Sequence, residues 1–336
     1  DPELYAYQEK VYNQYLDAWK HNKATRQINW DEMFRINELN RTQYDRNPEL
    51  KGHSTYILEN RHSNFTSWMF NSYINTRLTD NMSLQGGVSF NYTDGHYYKT
   101  IRSLLGGEFW RDIDNFSERD FPDNPTILQN DLNNPNRRVK KGDKFGYDYN
   151  IRSYIAKAWL QNQITTTHWD VNYGLEMSYT NFMRHGNMRN GRAPENSYGA
   201  GKRHTFDNAA LKAGATYKIN GRNYITAHAS YGTRAPLPDQ AYVSPRIKDT
   251  SVTGLKSERY LSGDISYGWN YTSFRGQITG FWTEMYDGLQ KTAFYDDQYS
   301  TFMNYVMSGI RTSYKGVELG MMYKITPALS ISAAAT

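Results

Sequence analysis

The stretch from Thr167 to Thr180 sorts its side chains by parity. Trp169, Val171, Tyr173, Leu175, Met177 and Tyr179 alternate with His168, Asp170, Asn172, Gly174, Glu176 and Ser178. Successive side chains of an extended strand point to opposite faces, so this segment has one apolar face and one polar face. The pattern returns at Leu84–Tyr92, Leu211–Ile219, Leu261–Tyr271 and Val317–Ile325. The segments near 65–78, 147–160 and 274–288 alternate less cleanly, and parity alone does not set their register.

Strand length and connection length then narrow the fold. Ten steps of about 3.3 Å at a tilt of about 45° carry Trp169 to Tyr179 through about 23 Å, close to the ~25 Å apolar band of a membrane barrel. Strands of a soluble sandwich run to about five or six residues. Tight connections at Thr79–Asn81, Asn220–Arg222, Thr272–Ser273 and Thr326–Pro327 take turns with long polar ones at roughly 94–146, 181–206 and 233–256. Short periplasmic turns and long extracellular loops are the habit of outer-membrane barrels. Aromatics gather beside the tight turns (Trp159, Trp169, Tyr217, Trp269, Tyr271, Phe274, Tyr323), with Tyr92, Tyr179 and Tyr231 at the other strand ends. Two such rings are the girdles that mark the membrane interfaces. A mean hydropathy of -0.83 excludes helical spans but not a barrel, whose strands are apolar only at every second residue. The expected fold is all-β: a transmembrane antiparallel up-and-down barrel wall of about ten strands over 64–336.

Residues 1–63 differ. Leu4, Tyr7, Val11, Tyr15 and Trp19 recur at helical spacing, and Asn29 with Glu32 has the spacing of a helix capping box. This part is expected to be an extracellular loop insertion with short helices. Asp1 opens in polar sequence and Thr336 closes inside an apolar run, so both ends are expected to be cut.

No cysteine is present, which removes disulfides and thiolate chemistry. No catalytic motif, cofactor or metal ligand set is expected. His168 and His228 read as hydrated wall residues on the polar face. His185 and His204 flank one long loop, with a metal contact as the lesser reading. The net charge is +5, and the basic run Arg137–Lys144 reads as a solvated loop rather than a nucleic-acid surface. Asp112 and Asp114 are likewise expected in solvent. Recognition groups sit in the long loops: Trp110, Arg111, Arg184, Arg189, Arg192 and Arg234 are the candidate contacts for cargo, since guanidinium groups pair with carboxylates and phosphates and aromatics stack on flat ligands.

Several motifs carry a family resemblance. Tyr314-Lys315-Gly316-Val317-Glu318-Leu319, placed after Met303-Asn304-Tyr305, resembles the x-x-G-V-E strand of TonB-dependent receptors. Leu255-Lys256-Ser257-Glu258 is similar to the family's L-K-P-E segment, with Ser257 where proline is common. Tyr231-Gly232-Thr233-Arg234-Ala235-Pro236 resembles the strand end before it. The loops at Leu104–Gly107 and Arg189–Arg192 resemble receptors of the Bacteroidota branch. The resemblance covers the chain from about Asn64 onward. It implies a parent barrel of about 22 strands around a plug. It also implies cargo binding at the outer face and a periplasmic TonB complex as partner, acting on a plug and box that this sequence does not contain. Outer-membrane lipid and lipopolysaccharide would surround the wall, and a surface lipoprotein would dock on residues 1–40. The expected function is energised uptake of a scarce bulky nutrient (siderophore, haem, cobalamin, oligosaccharide or peptide). A passive porin-type channel, a barrel enzyme and a soluble β-rich binding module are the alternatives.

Overall fold

A computed structural model describes residues 2–42, 48–296 and 301–336; Asp1 and residues 43–47 of the N-terminal insertion lie outside the described residues. The chain opens with helices α1 (Pro2–His21) and α2 (Trp30–Thr42). Strands β1 (Leu58–Thr79) and β2 (Met82–Ser103) follow. The next connection carries the two-residue strands β3 (Trp110–Arg111) and β4 (Arg138–Val139) around helix α3 (Asn115–Asp120). Then come β5 (Lys144–Thr165), β6 (Trp169–Gly186), the short β7 (Gly199–Ala200), β8 (His204–Lys218) and β9 (Asn223–Arg234). Helix α4 (Pro238–Ala241), β10 (Glu258–Asn270), β11 (Phe274–Asp296), β12 (Thr301–Lys324) and β13 (Ser330–Ala335) complete the order.

Ten strands lie side by side in chain order, β1-β2-β5-β6-β8-β9-β10-β11-β12-β13, with β7 added beside β6. Every neighbouring pair is antiparallel, which is the up-and-down arrangement expected. Tight turns join strands at one end of the wall; at the other, long connections join β2 to β5, β6 to β8 and β9 to β10, while residues 297–300 between β11 and β12 lie outside the described residues.

The register carries one parity across the whole sheet. Gly86 faces Leu160, Leu160 faces Leu175, Leu175 faces Leu211, Leu211 faces Tyr231 and Tyr231 faces Leu261. The apolar halves of neighbouring strands thus merge into one surface. Leu160, Leu175, Leu211 and Ile265 on it are 53%, 42%, 60% and 60% exposed, a cost in water that a hydrocarbon surrounding removes. Backbone groups inside this belt are satisfied strand to strand, as lipid requires. The lower aromatic ring contains two contacting groups: Trp169 meets Tyr217 at 4.9 Å, and further round Trp269 meets Phe274 at 5.6 Å and Phe274 meets Tyr323 at 6.5 Å between ring centroids.

The register also settles the segments that parity left open. Trp159 pairs with Gly87 and Glu176, so it stands on the polar face and not in the girdle. A Cβ on Gly87 would lie 2.9 Å from the Trp159 ring nitrogen, so the glycine makes room for the indole. Tyr154, on the outer face, packs on Tyr92 at 4.7 Å and adds to the upper ring.

The strands outrun the membrane. β1, β2 and β5 have 22 residues each, whereas the first long loop was expected to start at 94. The ladder continues because polar cross-strand pairs replace apolar ones beyond the upper ring. Asp94 accepts from Arg152 Nε at 3.1 Å, and His96 Nε2 lies 2.6 Å from Asp148. The same change occurs on β10, where Arg259 lies eleven steps from the strand end at Asn270. Eleven steps at ~3.3 Å and ~45° rise about 25 Å, the height of the apolar band.

Placing a charge on each face tests this assignment. Leu175→Arg, in mid-belt, is expected to cost roughly 2–4 kcal/mol in urea unfolding from lipid, and Ser178→Arg, three residues on and facing inward, close to nothing. Equal effects would refute the assignment of faces.

Candidate recognition face at the long-loop end

The long loops of the described residues do not hang free from the wall. They form one module whose first anchor is Asn37 of α2, wholly buried. The capping expected at Asn29 is present, with Glu32 N donating to Asn29 Oδ1 at 3.1 Å, and it starts the helix that delivers Asn37. Asn37 Nδ2 donates to the carbonyls of Tyr56, Leu104 and Leu105 at 2.8, 2.9 and 3.0 Å. Its Oδ1 accepts from Thr55 N and Tyr56 N at 2.7 and 3.1 Å. One amide therefore ties the N-terminal insertion to the end of β2.

Arg184 is the second anchor. Its side chain leaves β6 on the polar face, and the residue is 2% exposed. Nε donates to Pro245 O at 2.7 Å, Nη1 donates to Ser197 O at 2.9 Å, and the guanidinium lies 5.3 Å from the Tyr149 ring centroid. It joins the 187–203 loop to the 235–257 loop. Around it Tyr149, Ile151, Phe182, Phe206, Ala241 and Tyr242 form the larger buried apolar cluster. Burial pushes the Tyr242 hydroxyl pKa well up and raises that of Asp249, whose carboxylate accepts from Lys202 N at 2.7 Å.

Of the remaining candidates, all but Arg234 lie in the two long connections that follow β2 and β6. Trp110 packs beside the cluster of Ile101, Val139 and Phe145 and stacks on His53 at 5.3 Å. Arg111 pairs with Glu118 at 2.9 Å. Arg192 reaches Asp114 at 3.3 Å, linking the second long loop to the first. Arg189 donates Nε to Pro194 O at 3.0 Å, and its backbone N donates to Asp131 Oδ1 at 3.0 Å. Arg234 stands apart on the polar face of β9, paired with Glu258 at 2.7 Å. The side chains of Arg189, Arg192 and Arg234 are 43%, 41% and 59% exposed, against 29% for Arg111.

Five expectations change. Asp112 is buried, not solvated: Arg137 Nη2, Asn130 Nδ2 at 2.9 Å and Gly146 N at 2.8 Å donate to its carboxylate. Asp114 caps α3, accepting from Phe116 N at 3.0 Å and Ser117 N at 3.3 Å. Part of the basic run is structural, since Arg137 serves Asp112 and Arg138 lies 4.6 Å from the Phe109 ring centroid. His168 sits in the turn before β6 rather than on the strand, where its carbonyl accepts from Lys218 N at 2.8 Å. His185 and His204 fall on opposite faces, because His204 pairs with Phe182, three residues from His185 along β6.

An apolar-belted antiparallel wall with long loops folded over its polar face defines a transmembrane β-barrel wall of the outer-membrane type. Three solved structures share it. The copper transporter OprC is 10% identical, with a TM-score of 0.60 over 86% of this chain and 40% of that one. The FrpB iron transporter from Neisseria meningitidis (F3-3 variant) is 17% identical, with a TM-score of 0.53 over 82% and 35%. The ferric yersiniabactin uptake receptor FyuA from Yersinia pestis is 11% identical, with a TM-score of 0.52 over 82% and 35%. These are TonB-dependent outer-membrane receptors, and this chain has the fold of part of their barrel. It spans 40% or less of the length of each. No family model and no curated protein matches the sequence.

Two measurements probe the module. Asn37→Ala leaves several buried backbone groups without partners and is expected to cost about 3 kcal/mol, seen as faster proteolysis within residues 2–57. His53 has its pKa lowered, first by burial and then by Arg111. A depressed folded-state pKa gives stability that is present above the ordinary imidazole value of 6.5 and is lost as pH falls below it. The amide protection factors of residues 48–57, taken relative to the intrinsic exchange rate at each pH, are therefore expected to fall between about pH 7.5 and 5.5 in wild type but not in His53→Phe.

Proposed function

We propose that this chain is part of a bacterial outer-membrane receptor, energised by TonB, that takes up a scarce bulky nutrient such as a siderophore, haem, cobalamin, an oligosaccharide or a peptide. The observation that carries the reading is a wall whose long loops are knitted into one ordered face over its polar side. A passive pore has no need of that ordering, whereas recognition of a bulky solute does. In lipid the outer edges of β1 and β13 each require a further strand, as a larger closed barrel supplies.

On this reading Trp110, Arg111, Arg189, Arg192 and Arg234 present groups to the cargo. Arg184 holds the loops that carry them and is a positioning residue. Helix α1, with Tyr5, Tyr7, Tyr12, Tyr15 and Trp19 at 56–70% exposure, offers a docking face for a surface lipoprotein. No catalytic role is assigned to any residue.

Uptake by whole cells decides between this function and a passive channel. With a panel of ferric chelates, cobalamin and oligosaccharides, the full-length protein should drive saturable accumulation of one compound, lost when TonB is inactivated. Non-saturable uptake indifferent to TonB would establish the porin reading instead. Deleting residues 1–40 should abolish co-purification of the lipoprotein; an unchanged complex would remove it from the account.

A further inference from the structure

The outer surface of the wall is not uniform. Across β8, β9 and β10 a row of small residues, Ala213, Ala229 and Gly263, runs through the apolar belt. On the loop side the bulkier Leu211, Tyr231 and Leu261 rise above it, and toward the tight turns Ala215 and Ala227 continue the small residues. The result is a groove of about 610 Å³ lined by Tyr173, Leu211, Ala213, Ala229, Tyr231 and Leu261 among others. Its width and its apolar lining suit a hydrocarbon chain.

A cationic cluster stands directly above one end of this groove. Arg259 is two residues beyond Leu261 on the same face of β10, and across from it lies Tyr286 of β11. The Tyr286 ring is flanked by two guanidinium groups, with Arg259 at 5.6 Å and Arg311 of β12 at 5.2 Å from its centroid. Each cation is held by a sheltered carboxylate. Lys256 Nζ and Arg259 Nε both lie 2.7 Å from Asp287, and Arg311 Nε lies 2.8 Å from Glu284. Glu284 also accepts from Trp282 Nε1 at 3.0 Å, so the cluster is fastened to the top of the belt. Asp287 sits at φ 61°, in the bulge where the β11–β12 register shifts, which turns its carboxylate toward both cations.

The exposures are unequal in a telling way. The side chains of Asp287 and Glu284 are 12% and 2% exposed, while those of Lys256, Arg259 and Arg311 are 62%, 52% and 64% exposed. The anions are covered and the cations face outward, at the height where lipid headgroups begin. Guanidinium groups held in place by carboxylates have donors aimed at a phosphate without a further cost in side-chain ordering.

We propose that this outer face is a built binding site for the lipid A part of lipopolysaccharide, with a phosphate on Lys256, Arg259 and Arg311 and one acyl chain in the Ala213–Ala229–Gly263 groove. The chemistry recognised is a phosphate joined to a long hydrocarbon chain. Lipid A is the outer-leaflet lipid that supplies both. The site rests on the outer-membrane orientation proposed above, with the long loops outside the cell, and on no part of the cargo assignment.

The test uses the full-length protein purified from outer membranes in mild detergent, with bound lipid identified by native mass spectrometry and counted by phosphate assay. Wild type should retain lipid A. The pair Lys256→Gln with Arg259→Gln should retain roughly tenfold less or lower still, since each cation near an anionic headgroup contributes a comparable share. Ala229→Trp, which fills the groove and touches none of the ion pairs, should also lose the lipid while the protein stays folded. Lys157→Gln, on the opposite face and paired there with Glu176, should retain lipid A as wild type does. Equal lipid A in wild type and in both site variants would overturn the site. A bound glycerophospholipid in place of lipid A would overturn the assignment of the ligand, and inorganic phosphate without lipid would overturn the role of the groove. Recovery of the protein outside the outer-membrane fraction would instead sink the orientation, and is read before any variant is made.

Discussion

Backbone hydrogen bonding in a medium without water is the constraint on which this structure depends. A strand in hydrocarbon has no solvent to satisfy its N–H and C=O groups, so each must find the next strand. The continuous pairing from β1 to β13 meets that demand over the apolar belt, and chain-neighbour pairing lets it do so with short turns. Side-chain parity follows from the same ladder. Once one strand turns its apolar set outward, the register turns its partners' apolar sets outward too.

Beyond the belt the rules change while the ladder persists. Water reaches the strands there, so charge can be held by pairing, as at Asp94–Arg152 and His96–Asp148. On the inner side the loops fold back over the wall and bury polar groups that would be untenable alone. Arg184 between two carbonyls and an aromatic ring, Asp112 under Arg137 and Asn37 among five backbone groups are each close to fully satisfied. Such networks hold one loop arrangement against many.

Much of the wall was legible in the sequence because a half-buried strand writes its period directly. The parity of Trp169–Tyr179 and of Leu261–Tyr271, the alternation of short and long connections, and the Asn29 cap all stand in the structure. Trp159 was misplaced because its segment has apolar residues on both faces, and only pairing with Gly87 shows its side. The loop face was far less legible. A lone arginine such as Arg184 reads the same whether it awaits a ligand or clamps two loops, since its partners are carbonyls of Pro245 and Ser197, distant in sequence. Asn37 and Asp112 hide for the same reason. The Lys256–Arg259–Arg311 collar needs three strands and a bulge to assemble, and no local spacing announces it.

The central claim is that one parity of this wall faces lipid. The chain has no cysteine, so single cysteines can be introduced one by one along β6 of the full-length protein in outer-membrane vesicles and spin-labelled. Collision rates with oxygen, which concentrates in lipid, and with a water-soluble nickel chelate would then be compared from position 170 to 179. Positions 171, 173, 175, 177 and 179 should favour oxygen, and those between them the chelate, with a period of two. A flat profile, or one that favours the chelate at every position, would contradict the account.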